Sequence, residues 1–274
     1  MKCIDFDKRF MDYTAKWADE HKDEYKSIDA MEADMPAVYI TFINSPAAWL
    51  EGLTPGSYFT QYDDPKVLVD WLCDYCRKGV PVPNLLQDRI AEVGIPCEKR
   101  LIALIQEESA PQDAKMTAIG LLREMDATSP LKLFVSMQLT RSVEDELAEN
   151  AMDSLRAMGK EALAPMRRAL EKANRAGQEA LLDALSDFPG DDGVFNLALR
   201  FFNEEKKRRA LFAGYLSKLN DMRALPDLKD AVTDEELPYL DYIEIRNAIE
   251  SLGGDCPERE YDDDAGYEAL SRME

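Results

Sequence analysis

Pairs of apolar residues spaced three positions apart recur along most of the chain. Each pair lies near the end of a segment whose apolar residues follow the 3.6-residue period of an α-helix. The first members of successive pairs are separated by 32, 33, 30, 31 and 33 residues. A pattern with this spacing predicts an array of similar helical units. The six pairs are Ile90/Val93, Leu122/Met125, Leu155/Met158, Leu185/Phe188, Leu216/Leu219 and Ile249/Leu252.

A residue that favours the end of a helix follows each apolar pair. Glycine and asparagine adopt the left-handed conformation that closes a helix C-terminus, aspartate does so less readily, and proline cannot continue a helix. The pattern therefore predicts six turns, at Gly94, Asp126, Gly159, Pro189, Asn220 and Gly253.

Proline positions give a second register with the same period. Five prolines lie 31, 34, 35 and 61 residues apart, and the last separation is close to two periods. We expect the first three to occupy first-turn positions, where the missing N–H costs nothing. An amphipathic stretch follows each of them, so both registers predict the same helical units. The prolines are Pro65, Pro96, Pro130, Pro165 and Pro226.

The segments that carry these registers resemble HEAT repeats, in the variant labelled PBS-lyase HEAT-like. Residues 163–170 and 224–231 are similar to the first (A) helix of that repeat, and residues 118–125 and 151–159 to the second (B) helix. The resemblance covers about residues 64 to 253. It implies an all-α fold, an α-α superhelix built as a solenoid of about six antiparallel helix pairs. A repeat of this kind carries no specific function.

The flanks of the repeat region have different compositions. We expect residues 1–62 to form an N-terminal helical cap rich in aromatic residues, residues 63–253 the repeats, and residues 254–274 a mobile acidic tail. Within the cap, residues 5–26 predict one long amphipathic helix with an aromatic stripe. Residues 38–43 fit a helix or a buried strand, and the helical surroundings favour the helix. Residues 49–62 predict a turn or a short helix. The aromatic stripe comprises Phe6, Phe10, Tyr13 and Trp17.

Charge and cysteine content narrow the class of protein. The 274 residues include 54 acidic and 33 basic ones, for a net charge of −21, which opposes binding to phosphate backbones and anionic lipid. No signal peptide or membrane-spanning stretch is visible. An odd number of scattered cysteines, five, suits a reducing compartment. We therefore expect a cytoplasmic protein, monomeric, that binds neither nucleic acid nor membrane.

Residues suited to catalysis or metal binding are scarce. The one histidine, His21, lies among charged residues and indicates a solvated helix face. Cys73 and Cys76 form a C-x-x-C on a predicted helix without a second pair, which favours thiols packed in the core over a zinc or redox site. The sequence thus predicts no catalytic residue, no metal and no cofactor.

The binding surface expected from the HEAT resemblance is the concave face lined by B helices. Arg123 and Arg156 follow equivalent core leucines one repeat apart, and we expect them to be neighbours on that face. With Lys115, Arg208 and Arg209 they would form a cationic strip that favours an acidic peptide or helix of another protein. The run 206–209 has a second interpretation, a solvated helix start balanced by the preceding glutamates.

Two other functions are compatible with the repeat. HEAT-like DNA glycosylases place an acidic catalytic residue in a cationic groove, which the net charge opposes. A bilin lyase or chaperone is suggested by the name of the repeat variant alone. The sequence favours a non-catalytic protein-interaction scaffold over both.

Overall fold

The computed structural model describes residues 1–259 and 261. All regular secondary structure in this part of the chain is helical. This confirms the all-α class. No helix among these residues is long and apolar enough to cross a membrane. The chain divides into two compact units, one over Met1–Pro130 and a second that begins at Leu131. The first unit contains both the expected cap and the first two helix pairs of the repeat region.

The first unit has eight α-helices. Four of them, with a 3₁₀ turn at Ala48–Leu50, precede the repeat region and four lie within it. The helices α5 and α6 pack on each other, as do α7 and α8, and α5 also packs on α7 and α6 on α8. The bounds are α1 Phe6–His21, α2 Ile28–Glu32, α3 Met35–Asn44, α4 Pro55–Tyr58, α5 Pro65–Arg77, α6 Asn84–Val93, α7 Ile95–Gln106 and α8 Gln112–Glu124.

The helices of the second unit also pack in successive pairs. Each pair consists of two neighbours in sequence, and the odd-numbered helices α9, α11 and α13 pack on one another in order, as do the even-numbered α12, α14 and α16. The bounds are α9 Leu131–Leu139, α10 Glu146–Ala157, α11 Lys160–Leu170, α12 Arg175–Ser186, α13 Asp192–Glu204, α14 Arg209–Leu219, α15 Leu225–Ala231 and α16 Tyr239–Ser251.

The predicted turns coincide with the ends of the even-numbered helices. Gly94, Gly159 and Gly253 have positive φ, and so do the non-glycine residues Asp126 at 50° and Asn220 at 51°. At the fourth turn the left-handed residue is Gly190, one position after the proline that the sequence indicated. The apolar pair followed by a stop residue therefore marks the end of each of these helices.

One of the three prolines expected in first turns lies elsewhere, and the helix that contains Pro165 begins earlier than the resemblance implied. Pro130 precedes α9 instead of lying within its first turn, and Pro165 lies inside α11, which begins five residues earlier at Lys160. The early start of α11 follows from Gly159, whose left-handed conformation closes the preceding segment and allows a new helix to begin at once. Pro65 and Pro96 lie in first turns, as predicted.

Aromatic side chains organise the N-terminal segment. Phe6 contacts Trp49 and Phe59, whereas Phe10 and Tyr13 contact Phe42 of α3. Three of the four stripe residues of α1 thus contact α3 or the segment that follows it, whereas Trp17 contacts His21 and Tyr25. Residues 38–43 are helical, as the sequence favoured.

The extended segment before α1 is held by α5. The phenolic hydroxyl of Tyr75 accepts a hydrogen bond from the Ile4 amide at 3.1 Å and donates one to the Ile4 carbonyl at 3.0 Å. The indole of Trp71 donates to the Lys2 carbonyl. Tyr75 therefore satisfies both backbone groups of a residue that lies outside any helix.

A buried polar cluster joins α9, α10 and α12. The amide of Gln138, fully buried, donates to the Ala148 carbonyl at 2.8 Å and accepts from Arg141 at 3.1 Å. Helix α12 approaches α9 so closely that a Cβ on Gly177 would lie 1.9 Å from the backbone oxygen of Gln138. Only glycine fits at this contact.

The first residues after α16 contact the rest of the second unit. Tyr242 donates to the Pro257 carbonyl at 2.5 Å, and the guanidinium of Arg259 donates to the Asp234 carbonyl at 2.6 Å. Residues 254–259 are therefore attached to α16 and the loop before it. The acidic run 262–264, and the tail expected there, lie outside the described residues.

Candidate functional site

The five predicted binding residues are divided between the two compact units. Lys115 and Arg123 lie on α8, both half-buried, whereas Arg156 lies on α10 and Arg208 and Arg209 lie where α14 begins. Arg123 and Arg156, expected to be neighbours, belong to different units. The structure brings Arg156 and Arg208 together at one pocket.

This pocket has a volume of about 350 Å³, and its walls come from α10, α12, α14 and the loop before α10. These three helices are the even-numbered members of their pairs. Ionisable side chains of both signs line it, three arginines and three carboxylates, so the lining carries no net charge. We call it the even-helix pocket, and its ionisable residues are Arg141, Glu149, Arg156, Glu179, Asp183 and Arg208.

Arg156 is the centre of the first charge cluster in the even-helix pocket. Its guanidinium lies 2.6 Å from a carboxylate oxygen of Asp183 on α12, 3.1 Å from Asp153 and 3.6 Å from Glu149. Glu149 also pairs with Arg141, which is 6% exposed. The side chain of Arg156 is thus held toward α12 by carboxylates on two helices.

Arg208 forms the second cluster. It donates to Glu179 of α12 through two hydrogen bonds, one of 2.8 Å, and to Glu205 at 3.4 Å. The hydrogen bond from Arg208 holds the pKa of Glu179 below its ordinary value. Tyr215 lines the same pocket, and burial raises the pKa of its phenol.

Arg209 does not line the even-helix pocket, and its contacts are with other residues. It is 11% exposed, lies 3.8 Å from Asp234 and sits over the ring of Phe202. Of the three predicted binding residues in the second unit, Arg156 and Arg208 are therefore the more accessible, and both are ion-paired. The arrangement is therefore a mixed-charge surface and differs from the cationic strip that the sequence suggested.

Several of these ion pairs connect successive helix pairs. The two partners are 27 to 31 residues apart in the sequence, close to the period of the apolar pattern. Sequence reasoning missed the carboxylates because 54 acidic residues offer too many candidates. Opposite charges one period apart were the signal that would have found them. The pairs are Asp70–Arg100, Arg156–Asp183, Arg175–Glu205, Glu179–Arg208 and Asp192–Arg223.

The one histidine, His21, packs against an aromatic residue of its own helix. His21 is half-buried and stacks on Trp17 with ring centroids 4.8 Å apart, so it is less solvated than expected, although the charged residues around it are exposed. Its Nδ1 donates to the Trp17 carbonyl, four residues earlier. The stacking follows from this spacing, which places both rings on one side of α1.

The C-x-x-C thiols lie on the packed side of α5. Cys73 is buried and Cys76 is half-buried, and burial raises the pKa of both, that of Cys76 to about 11. Within residues 1–259 and 261, histidine, cysteine and carboxylate side chains form no group of three or more that could hold a metal ion. Cys73 is thus a core thiol, as predicted, whereas Cys76 is only partly buried.

Known proteins offer no further guide to the even-helix pocket. Comparison of the chain with protein-family models, with curated proteins and with solved structures found no match.

Proposed function

We propose that the chain is a non-catalytic protein-interaction scaffold, a HEAT-like solenoid of six helix pairs that binds its partner on the even-numbered (B) helices. The solenoid is supported by the recurrence of helix pairs from α5/α6 to α15/α16 and by the left-handed residue after each even-numbered helix. The contacts of odd helices with odd and of even with even are those that stacked pairs make.

The observation that carries the binding proposal is the convergence of α10, α12 and α14 on one pocket. The side chain of Val143 lies at this pocket and is 84% exposed. An exposed apolar side chain beside fixed charges provides an anchor of the kind that protein partners contact, while the charges determine orientation.

The partner proposed is a protein that presents an acidic helix or peptide to Arg156 and Arg208. In the free protein these arginines contact Asp183 and Glu179 in partly exposed positions. Exposed ion pairs contribute only about 0.2–1 kcal/mol. Exchange of these carboxylates for those of a partner therefore costs little, and the guanidinium groups are already oriented for charge-assisted hydrogen bonds.

Site-specific crosslinking tests the surface. A photoreactive phenylalanine analogue at position 143 should crosslink the partner in extracts of the native organism, and mass spectrometry identifies the product. The same analogue at Met222, which is 66% exposed in the same unit, is the matched control. Equal crosslinking from both positions would place the binding surface elsewhere.

Charge reversal tests the two arginines. Arg156→Glu with Arg208→Glu should reduce recovery of the identified partner at least tenfold, with little change in melting temperature. The control reverses two exposed lysines, Lys16 of α1 and Lys22 directly after it, as Lys16→Glu with Lys22→Glu, and should retain the partner. Retention by the arginine variant would contradict the proposal, as would loss with both variants, because that would reflect net charge alone.

The remaining expectations belong to the same proposal. We infer a cytoplasmic protein without cofactor, and the free state of all five cysteines supports a reducing compartment. A net charge of −21 supports the expectation that the protein does not bind nucleic acid. Binding of duplex DNA at low ionic strength would revive the glycosylase alternative.

A further inference from the structure

A second and larger cavity lies on the odd-numbered helices of the second unit. Its volume is about 830 Å³, and most of its lining comes from α11 and α13, with Gln178 of α12. This volume falls within the range of roughly 300–1,000 Å³ that is typical of small-molecule sites. We call it the α11–α13 cavity.

Cations outnumber carboxylates in the lining of the α11–α13 cavity, although the protein as a whole is acidic. Four basic residues face two acidic ones, Glu171 and Asp191. In the even-helix pocket, by contrast, the charges balance. The basic residues are Arg167, Arg168, Lys172 and Arg200.

Within the part of the chain that the structure describes, three of these cations lack a carboxylate partner. Arg167 lies 3.2 Å from Asp191, whereas Arg168, Lys172 and Arg200 are exposed and have no carboxylate within 4 Å among residues 1–259 and 261. All three arginines that line the even-helix pocket, by contrast, are paired with carboxylates. Unpaired cations that face a common cavity therefore require an explanation.

The helix dipole explains only part of this arrangement. Arg167 and Arg168 lie in the last turn of α11, where basic side chains stabilise the helix end. Arg200 lies in the body of α13 and has no such role. Its guanidinium lies 5.4 Å from the ring of Phe201, a contact that leaves its N–H donors available.

The rest of the lining suits an organic molecule. The buried side chains of Leu170 and Leu197 provide apolar surface, and the amides of Gln178 and Asn196 provide neutral donors. Guanidinium groups match phosphate oxygens in geometry and bind them through paired hydrogen bonds. The lining thus combines anion-binding groups with an apolar floor.

Size favours a small anion over a long one. Electrostatic interactions are screened over about 8 Å at physiological ionic strength, so a ligand within the cavity interacts mainly with the cations that line it. A nucleic acid or an extended acidic protein would reach beyond them onto a surface whose overall charge is negative. We propose that the α11–α13 cavity binds a small organic molecule that carries two or more phosphate groups, held by Arg168, Lys172 and Arg200.

Titration calorimetry with the full chain tests this proposal. The probes are ATP, sodium tripolyphosphate, adenosine and a hexaglutamate peptide, each without magnesium. ATP should bind with one site per chain and a Kd below 1 mM at low ionic strength, because such a Kd corresponds to only about 4 kcal/mol. Tripolyphosphate should bind more weakly than ATP, and adenosine should not bind.

Variants locate the binding. Arg168→Gln with Arg200→Gln should weaken ATP at least tenfold. The matched control, Lys206→Gln with Lys207→Gln, removes two exposed positive charges outside this cavity and should retain the affinity of the original protein. Circular dichroism and the melting temperature verify that both variants are folded.

Four results would overturn the proposal. They are the absence of saturable ATP binding, equal ATP affinity in the two double variants, tripolyphosphate binding without ATP binding, and tighter binding of hexaglutamate than of ATP. The last would assign the cavity to an acidic peptide. Because the α11–α13 cavity and the even-helix pocket share no arginine, failure here leaves the scaffold proposal untouched.

Discussion

A glycine at which no larger side chain fits provides a sharp test of the packing between helices. The Cβ of an alanine at position 177 would lie 1.9 Å from the backbone oxygen of Gln138, and a backbone atom cannot rotate away. Gly177→Ala should therefore lower the free energy of unfolding by about 1–3 kcal/mol, the usual cost of overpacking. Urea denaturation followed by circular dichroism measures the change.

Another helical glycine provides the control for this substitution. Gly120 lies within α8, and a Cβ there would meet no atom within 4 Å. Gly120→Ala should raise the free energy of unfolding by roughly 0.5–1 kcal/mol, because alanine favours the helix. If Gly177→Ala raised the free energy of unfolding, as Gly120→Ala is expected to do, the close contact of α12 with α9 would be incorrect.

Leucines of the recurring apolar pairs test the core register. Leu155 has no exposed surface, so Leu155→Ala should lower the free energy of unfolding by about 2–5 kcal/mol through lost burial and the cavity left behind. Leu240, which is 54% exposed, is the control, and its replacement by alanine should have little effect. A loss below half a kilocalorie at position 155 would show that the register is wrong.

Helix ends were the element-scale feature most readily predicted from the sequence. Local chemistry decides them, since glycine, asparagine and aspartate tolerate positive φ and an apolar pair precedes each one. The start of α11 at Lys160 was not predicted in the same way, because the segment that resembles an A helix begins at residue 163. Pro165 therefore lies deeper inside the helix than the resemblance implied.

Replacement of Asp126, an aspartate at a left-handed helix end, by glycine should increase stability. Asp126 has a φ of 50°, a conformation that costs most non-glycine residues about 1–2 kcal/mol. We expect Asp126→Gly to raise the free energy of unfolding by about 0.5–1 kcal/mol and Asp126→Val to lower it by at least as much. Thermal melts of the three proteins provide the comparison, and a stabilising valine would contradict the assigned turn.

At the scale of the whole molecule, the sequence could not predict which charged side chains pair with one another. The net charge was evident, but the pairing of Arg156 with Asp183 depends on which helices pack together, which no local pattern specifies. The α11–α13 cavity escaped prediction for the same reason, since Arg168 and Arg200 lie in different helices. Arg156 was named because it follows a core leucine one repeat after Arg123, and Arg208 because it belongs to the basic run that opens a B helix.

Buried neutral acids make the molecule sensitive to alkaline pH. Burial raises the pKa of the Cys97 thiol from 9.0 to about 11 and that of the Tyr75 phenol above 10. A raised pKa means that the folded state favours the protonated form. The contribution to stability is therefore complete below pH 9 for the thiol and is lost as pH rises toward 11.

We expect the free energy of unfolding to fall by on the order of 2 kcal/mol between pH 9 and pH 11 because of Cys97 alone. Urea titrations across this range measure the fall. Cys97→Ala removes the titrating group and should flatten the dependence even though it lowers stability at pH 8. An unchanged slope in this variant would mean that the thiol is accessible to solvent.

The hydroxyl of Tyr75 has a consequence for the exchange of backbone hydrogens. The Ile4 amide lies outside any helix, yet it donates to a phenol that is itself buried. Amide hydrogens exchange with solvent only when such a bond opens, so Ile4 should exchange as slowly as the interior of α5, unlike Lys2 and Cys3 beside it. Tyr75→Phe removes the acceptor and should accelerate exchange at Ile4 while leaving the α5 amides protected. By this measure, the protection of a single extended residue reports the opening of the N-terminal segment from α5.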